Sequence, residues 1–402
     1  MNRLTARFAT ILFVAAIVSA LPTGDLHAQT FTVLHSFANA SDGQTPRAAL
    51  ITDSAGNLYG TTTKGGNLSA CNHNGCGTAF QIDPSGAFTV LHPFGGATLD
   101  AANPQGGLTP VGPGSFLGTS LSGGFHDAGT IYVEQTAGFE ADRHDFSGPD
   151  GENPEAPLAR AGKGLFYGTA ASGGTGTPCG RACGVVFRVT ASGSFVVLHV
   201  FAGGTDGQQP ETGLAVDAAG NIYGATTTGG TGPCTFAGPG CGVVYKLDPL
   251  GNETILHTFV ESDGASPLGT PILDAAGNLY GTTFTRGQFG FGEVYKIDAG
   301  GNFSVLYSFT GGTDGSQPMA GVVLDAAGNL YGTTTAGGDT THSPFGAGVI
   351  YRIDTLGNYK VLYRFDGVSA SFPQAPLLIS KGAIYGTAAA GSNNGAVFKL
   401  VP

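Results

Sequence analysis

The chain has 402 residues, with 69 Gly, 22 Pro, 41% hydrophobic residues, 10% aromatics and only 11% charged residues. That is too much apolar material for a disordered chain, and so much glycine beside β-branched and aromatic residues reads as many short strands joined by tight turns. The net charge of −11 argues against a phosphate-binding surface and so against a nucleic-acid partner.

In chain order, residues 1–28 have the form of a secretory signal. Arg3 and Arg7 supply a positive start, and Phe8–Ala20 supplies an apolar stretch too short to span a bilayer comfortably. Cleavage after Ala20 or Ala28 fits; Ala28 is favoured because strand composition begins soon after. No second long apolar run follows, so no membrane span is expected, and the location is secreted, periplasmic or cell-surface. Export places the six cysteines in an oxidising compartment.

The first strand-like segment, "FTVLHSF" (Phe31–Phe37), stands alone. After it a unit repeats. Its core appears as Tyr59-Gly60-Thr61, Leu117-Gly118-Thr119, Tyr167-Gly168-Thr169, Tyr223-Gly224-Ala225, Tyr280-Gly281-Thr282, Tyr331-Gly332-Thr333 and Tyr385-Gly386-Thr387, with spacings of 58, 50, 56, 57, 51 and 54. A second marker keeps step, from "GTAFQID" (Gly77–Asp83) to "GVIYRID" and "GAVFKLV", and so does a third, from "FTVLHPF" to "KVLYRF". In the sixth unit the four segments are A (321–325), B (329–334), C (348–354) and D (359–365). The A–B and C–D links, such as "DAAGN" and "DTLGN", are tight hairpins, so sequence neighbours pair antiparallel.

Four antiparallel strands in a unit of roughly 50 residues, seven times over, predict an all-β fold: a seven-bladed β-propeller of four-stranded blades. The expected blades are 46–94, 104–146, 154–201, 210–259, 267–309, 318–365 and 373–402. The segment at 31–37 is a D without A, B or C, and the chain stops at a C without D (Gly395–Pro402). Pairing the first strand with the last blade closes the ring and removes an exposed edge. Residues 29–402 then form one domain, expected to be a monomer.

The consensus P-x-x-G-L-x-x-D-x-x-G-N-L-Y-G-T-T, G-x-V-Y-K-[IL]-D-x-x-G-N, V-L-Y-S-F-x-G-G-x-D-G resembles the Gloeobacter/Verrucomicrobia (GloVer) tandem repeat of bacterial exported proteins. The resemblance covers almost all of 31–402, closest in units 4 to 6 and weakest in unit 2, where "LTPVGPGSFLGTS" lacks the hairpin Asp and the Tyr. It implies export and a propeller-like repeat, and no established chemistry. The sorting or anchoring tail frequent in such proteins is not expected here, since the sequence ends at the last strand segment.

The short hairpins are scaffold; the D–A and B–C loops share the other face, vary in length and are where function is expected. All cysteines lie in B–C loops, as the local pairs Cys71/Cys76, Cys179/Cys183 and Cys234/Cys241, which predicts three loop-stapling disulfides. His73 inside "CNHNGC" offers a metal alternative, but the other two pairs contain no His, and no metal site is assigned. His35, His92, His144, His199 and His257 share one D-strand slot with Tyr307 and Tyr363, a packing position with a polar tip. His73, His126 and His342 lie in B–C loops without evident partners. Asp42, Asp100, Asp150, Asp206, Asp263, Asp314 and Asp366 recur in the D–A loop; a turn-forming role is favoured over a Ca²⁺-binding ring.

The residue after the D–A proline changes in almost every unit within an otherwise constant framework: Arg47, Gln105, Glu155, Glu211, Leu268, Met319 and Gln374. It is expected where inner strands enter the central channel. Arg47, Gln105, Glu155, Glu211 and Gln374 are the candidate ligand-binding residues, with Glu155 and Glu211 on adjacent blades. No nucleophile elbow, phosphate loop, zinc-helix motif or dinucleotide fingerprint occurs. The function expected is a non-enzymatic binding or interaction scaffold that takes a glycan, small molecule or protein on its loop face. The alternative is a propeller hydrolase or lyase with a divalent cation, Ca²⁺ among the candidates, at the channel mouth.

Overall fold

The computed structural model describes residues 29–402 apart from 39, 96–99, 139, 163, 176–178, 180–182, 236–239 and 392. The expected signal at 1–28 lies outside the described residues. Among these, seven four-stranded antiparallel sheets form, the blades of a propeller. Blade 1 runs Ile51–Thr52, Leu58–Thr62, Thr78–Ile82 and Phe88–Pro93; blade 6 runs Val323–Leu324, Leu330–Thr334, Val349–Ile353 and Tyr359–Arg364. Blade 7 takes its fourth strand, Thr30–Ser36, from the other end of the chain, paired antiparallel with Ala396–Val401. No helix of the described residues is long and apolar enough to cross a membrane.

The sequence markers become packing units. Every C–D pairing shifts register at one place, in blade 6 between Ile350 and Tyr351, so that Leu362 is an extra residue in strand D. The V-L-[HY] marker therefore writes a β-bulge, which re-aims the following His or Tyr. Seven apolar clusters form, each shared by two adjacent blades. The last one, with Phe37, Leu50, Leu58, Phe80, Ile82 and Val397, joins blade 7 to blade 1. At each interface the Phe ending strand D meets the strand C aromatic of the next blade: Phe37 on Phe80 at 5.4 Å, Phe309 on Tyr351 at 5.3 Å, Phe365 on Phe398 at 5.3 Å. Those aromatics explain the glycine of Tyr-Gly-Thr, because a Cβ on Gly60 would sit 2.6 Å from Phe80 Cζ.

Three disulfides are formed as expected, Cys71–Cys76, Cys179–Cys183 and Cys234–Cys241, with Cα separations of 5.4, 5.8 and 5.3 Å. Loops this short predict a stabilisation of about 2 kcal/mol each in the loop-entropy account. Purified native protein should gain six hydrogens on full reduction and lower its melting temperature. Free thiols before reduction would refute the pairing.

Candidate functional site

The D–A loop is built the same way in all seven blades. The residue before its proline takes a left-handed conformation: Thr45, Asn103, Asn153, Gln209, Ser266, Gln317 and Phe372 all have φ between 52° and 59°. Few side chains adopt this without support, and the support is visible. The amide of Gln209 donates to the Cys183 carbonyl of the previous blade, and its own carbonyl accepts from Thr227; Ser266 repeats this with Cys241 and Phe284, and Asn103 with Cys76 and Leu121. The proline then packs on the glycine that opens strand C of the previous blade, where a Cβ on Gly348 would lie 2.9 Å from Pro373. Bridges between the D–A and B–C loops, such as Gln208 to Thr228 and Ser316 to Ala336, tie the two together.

The next residue is thereby aimed at the axis. Arg47, Gln105, Glu155, Glu211, Leu268, Met319 and Gln374 line one cavity of about 140 Å³. The threonine of Tyr-Gly-Thr fixes the adjoining backbone from the previous blade. Thr61 donates to the Pro104 carbonyl at 3.1 Å, Thr119 to Ala156 at 2.9 Å, Thr282 to Ala320 at 3.0 Å and Thr387 to Ala48 at 3.1 Å. In blade 4, where Ala225 replaces that threonine, the Gly213 amide donates instead to Thr270 Oγ1 at 3.1 Å.

The cavity is electrically lopsided. Burial pushes the Glu155 carboxyl up, against the pull of the Arg47 guanidinium. Burial, and then the neighbouring Glu155, pushes Glu211 up to about 7. Both carboxyls therefore hold their protons more readily than a free glutamate does. Leu268 and Met319, from the next two blades, are apolar, and Gln374 Oε1 is buried without a hydrogen-bond partner.

Other candidates fall into structural roles. The slot histidines pair with the aspartates of their own D–A loops, His144 with Asp150 at 2.9 Å and His257 with Asp263 at 3.1 Å, and Tyr307 donates to Asp314 at 3.0 Å. The aspartates also cap loop amides, as Asp263 does for Val260 and Asp366 for Val368 and Ser369. Each is engaged within its own blade, which is the turn-forming role. His342 Nδ1 lies 3.1 Å from the Asp366 carbonyl, His126 packs edge-on to Phe125, and His73 sits in a left-handed turn; the structure does not bring these three together.

One cluster escaped the sequence. At most blade interfaces the slot His or Tyr stacks on an aromatic of the next D strand, as His35 on Phe88 and His257 on Phe303, both at 3.7 Å. Blade 4 has Glu253 there instead. His199, Asp206 and Glu253 place three potential metal-ligand atoms within 4.8 Å of one another. Burial, then the hydrogen bond to Asp206, pushes Glu253 up to about 9. Asp206 falls to about 2, burial being outweighed by hydrogen bonds from His199 and Glu253. The signal was a Glu in a column that is aromatic in five of the seven units, Glu140 of unit 2 being the other exception.

This cluster gives a pH prediction. An unfolded Glu253 loses its proton near the ordinary glutamate value of 4.5, the folded one only near 9, so folding takes up a proton between those values. Its contribution is complete below about 4.5 and is lost as pH rises toward 9. Glu134 and Asp142, both pushed up to about 7 by burial, act in the same direction. Glu253→Phe, which restores the stack, should raise stability by about 1 kcal/mol at pH 8 and less at pH 5. Melting curves at the two pH values check this, and a gain independent of pH would contradict it.

Among the described residues the molecule is a closed seven-bladed propeller, with a cavity on its axis lined by both polar and apolar side chains. The sequence matches the Gloeobacter/Verrucomicrobia repeat over residues 68–238 and 232–402, and the chain belongs to that family. A search of curated proteins gives no match. Among solved structures, the extracellular domain of a putative hybrid two-component system from B. thetaiotaomicron aligns with a TM-score of 0.57 at 11% identity, over 93% of this chain and 40% of that one. A luciferin-regenerating enzyme aligns at 0.46 and 16% identity, over 92% and 95% of the two chains. A gluconolactonase of Xanthomonas campestris aligns at 0.43 and 12%, over 71% and 82%. At these identities the likeness is one of fold.

Proposed function

We propose that the protein is an exported binding protein that holds a small, hydrogen-bond-donating solute at the channel mouth without turning it over. The supporting observation is that seven positions differing almost throughout inside a near-constant repeat line a single cavity. Scaffold positions repeat, as the strand C aromatics do; recognition positions need not. Export rests on the family, the disulfides and the apolar segment at Phe8–Ala20.

A thermal-shift screen of monosaccharides, amino acids and small amines tests the reading. At least one should raise the melting temperature of the wild type, and Glu155→Gln and Glu211→Gln should remove most of that rise. Binding retained in full by both variants would contradict it.

A second reading has one observation in its favour. A carboxyl held near 7 beside a second carboxyl suits general acid/base work with a divalent cation in a hydrolase or lyase. Metal analysis separates the two readings. Stoichiometric metal lost in both glutamine variants favours the enzyme; none in wild type counts against it.

A further inference from the structure

We propose that the solute is an amphiphilic amine, its cationic head at the channel mouth and its apolar aryl or alkyl body in a groove running outward between blades 5, 6 and 7. This rests on the channel-mouth reading and adds the ligand's class.

The groove, of about 660 Å³, is lined by Phe284, Phe291, Phe345 and Phe372, and it shares Met319 and Gln374 with the channel cavity. The two spaces therefore adjoin at these two side chains. The groove has a sequence cause. The B–C loops of blades 1, 3 and 4 are stapled by disulfides, whereas those of blades 5 and 6, "FTRGQFGFG" and "AGGDTTHSPFGAG", carry no cysteine and present phenylalanines. Phe345 is 82% and Phe291 41% exposed, so rings in a cysteine-free loop stand open to solvent beside the mouth. Isolated exposed apolar residues are ordinary, but several around one groove are the mark of a site.

Charge fixes the other end. On the two blades before Leu268 and Met319 stand Glu155 and Glu211, with Arg47 the only cation in the lining. One carboxyl offsets the guanidinium, and the other, once it gives up its proton, favours a cationic head over an anionic one. At the junction Gln374 Oε1 is a buried acceptor without a donor, which an ammonium N–H satisfies. An amine head also replaces the proton that Glu211 otherwise retains, so binding near pH 7 should release protons.

Calorimetry with 2-phenylethylamine, ethylamine and 2-phenylethanol tests this on the full mature protein. 2-Phenylethylamine should bind at least about tenfold more tightly than ethylamine and than the alcohol. Phe345→Ser and Phe291→Ser should reduce its affinity toward that of ethylamine while leaving ethylamine unchanged, and the large exposure of Phe345 keeps that variant folded. Glu211→Gln should weaken both amines. Equal affinity for the two amines overturns the apolar half and leaves the channel reading intact. Equal affinity for amine and alcohol overturns the cationic half. Failure of all three probes to bind overturns the inference, while the wider screen still decides the channel reading.

Discussion

Removal of the closing strand, Thr30–Ser36, is expected to abolish cooperative unfolding and to leave aggregating protein. The strand supplies one quarter of blade 7 and pairs along the whole of Ala396–Val401. Phe31 stacks on Tyr363 at 3.9 Å, and Phe37, fully buried, seals blade 7 against blade 1. Truncation of a single buried Phe costs about 3–5 kcal/mol, a large share of the ~5–15 kcal/mol by which a domain is stable. Deletion of Thr30–Ser36 removes Phe31 and the strand that holds Phe37 in its seat, and it exposes the unpaired edge of Ala396–Val401 to other chains. Phe37→Ala is the milder version and should lower stability by about 3–5 kcal/mol in a soluble protein. Chemical denaturation followed by circular dichroism reads both. An unchanged midpoint in either would mean that the ring does not depend on its closure.

Gly332→Ala should cost about 3 kcal/mol, the upper end of overpacking penalties. The backbone at Gly332 is in no unusual conformation; the obstacle is the Tyr351 ring, which occupies the space an added methyl would need. That ring is fully buried and held by Phe309 at 5.3 Å and Tyr359 at 5.5 Å, so it has nowhere to move. Gly357→Ala is the contrast. It has φ of +85° but nothing within 4 Å of the new Cβ, so it carries only the left-handed penalty of about 1–2 kcal/mol. Urea midpoints of the two variants rank them, and a larger loss at Gly357 than at Gly332 would contradict the close-approach explanation.

The fold was legible because a propeller writes each packing contact seven times. Tyr-Gly-Thr, G-x-V-Y and V-L-[HY] were visible as markers, and blade number, strand order and the pairing of Phe31–Phe37 with the final strand followed from counting them. Their physical content was not visible. That the glycine of one strand accommodates the ring of the next, or that Leu362 is a bulge, needs two strands side by side. The residues after each proline were legible as a changing position in a constant frame, and the structure places all seven around one cavity.

What escaped depends on neighbours distant in sequence. The His–Asp pairs link two markers that had been read separately, because the D strand and its following turn meet only once the bulge re-aims the histidine. Glu253 stands out only against the column of aromatics that the blade interfaces assemble. The Phe284, Phe291, Phe345 and Phe372 groove spans three blades and two loop types, and no local pattern announces it.

Closure of the chain brings Arg47 and Gln374, 327 residues apart in sequence, to neighbouring places in the lining of one axial cavity. Spin labels on Arg47→Cys and Gln374→Cys measure it by electron paramagnetic resonance, with Gln105→Cys and Glu155→Cys, on two other adjacent blades, as the internal ruler. A closed ring gives the same short, narrow distance distribution for both pairs. A longer or broader distribution for the first pair alone would contradict it.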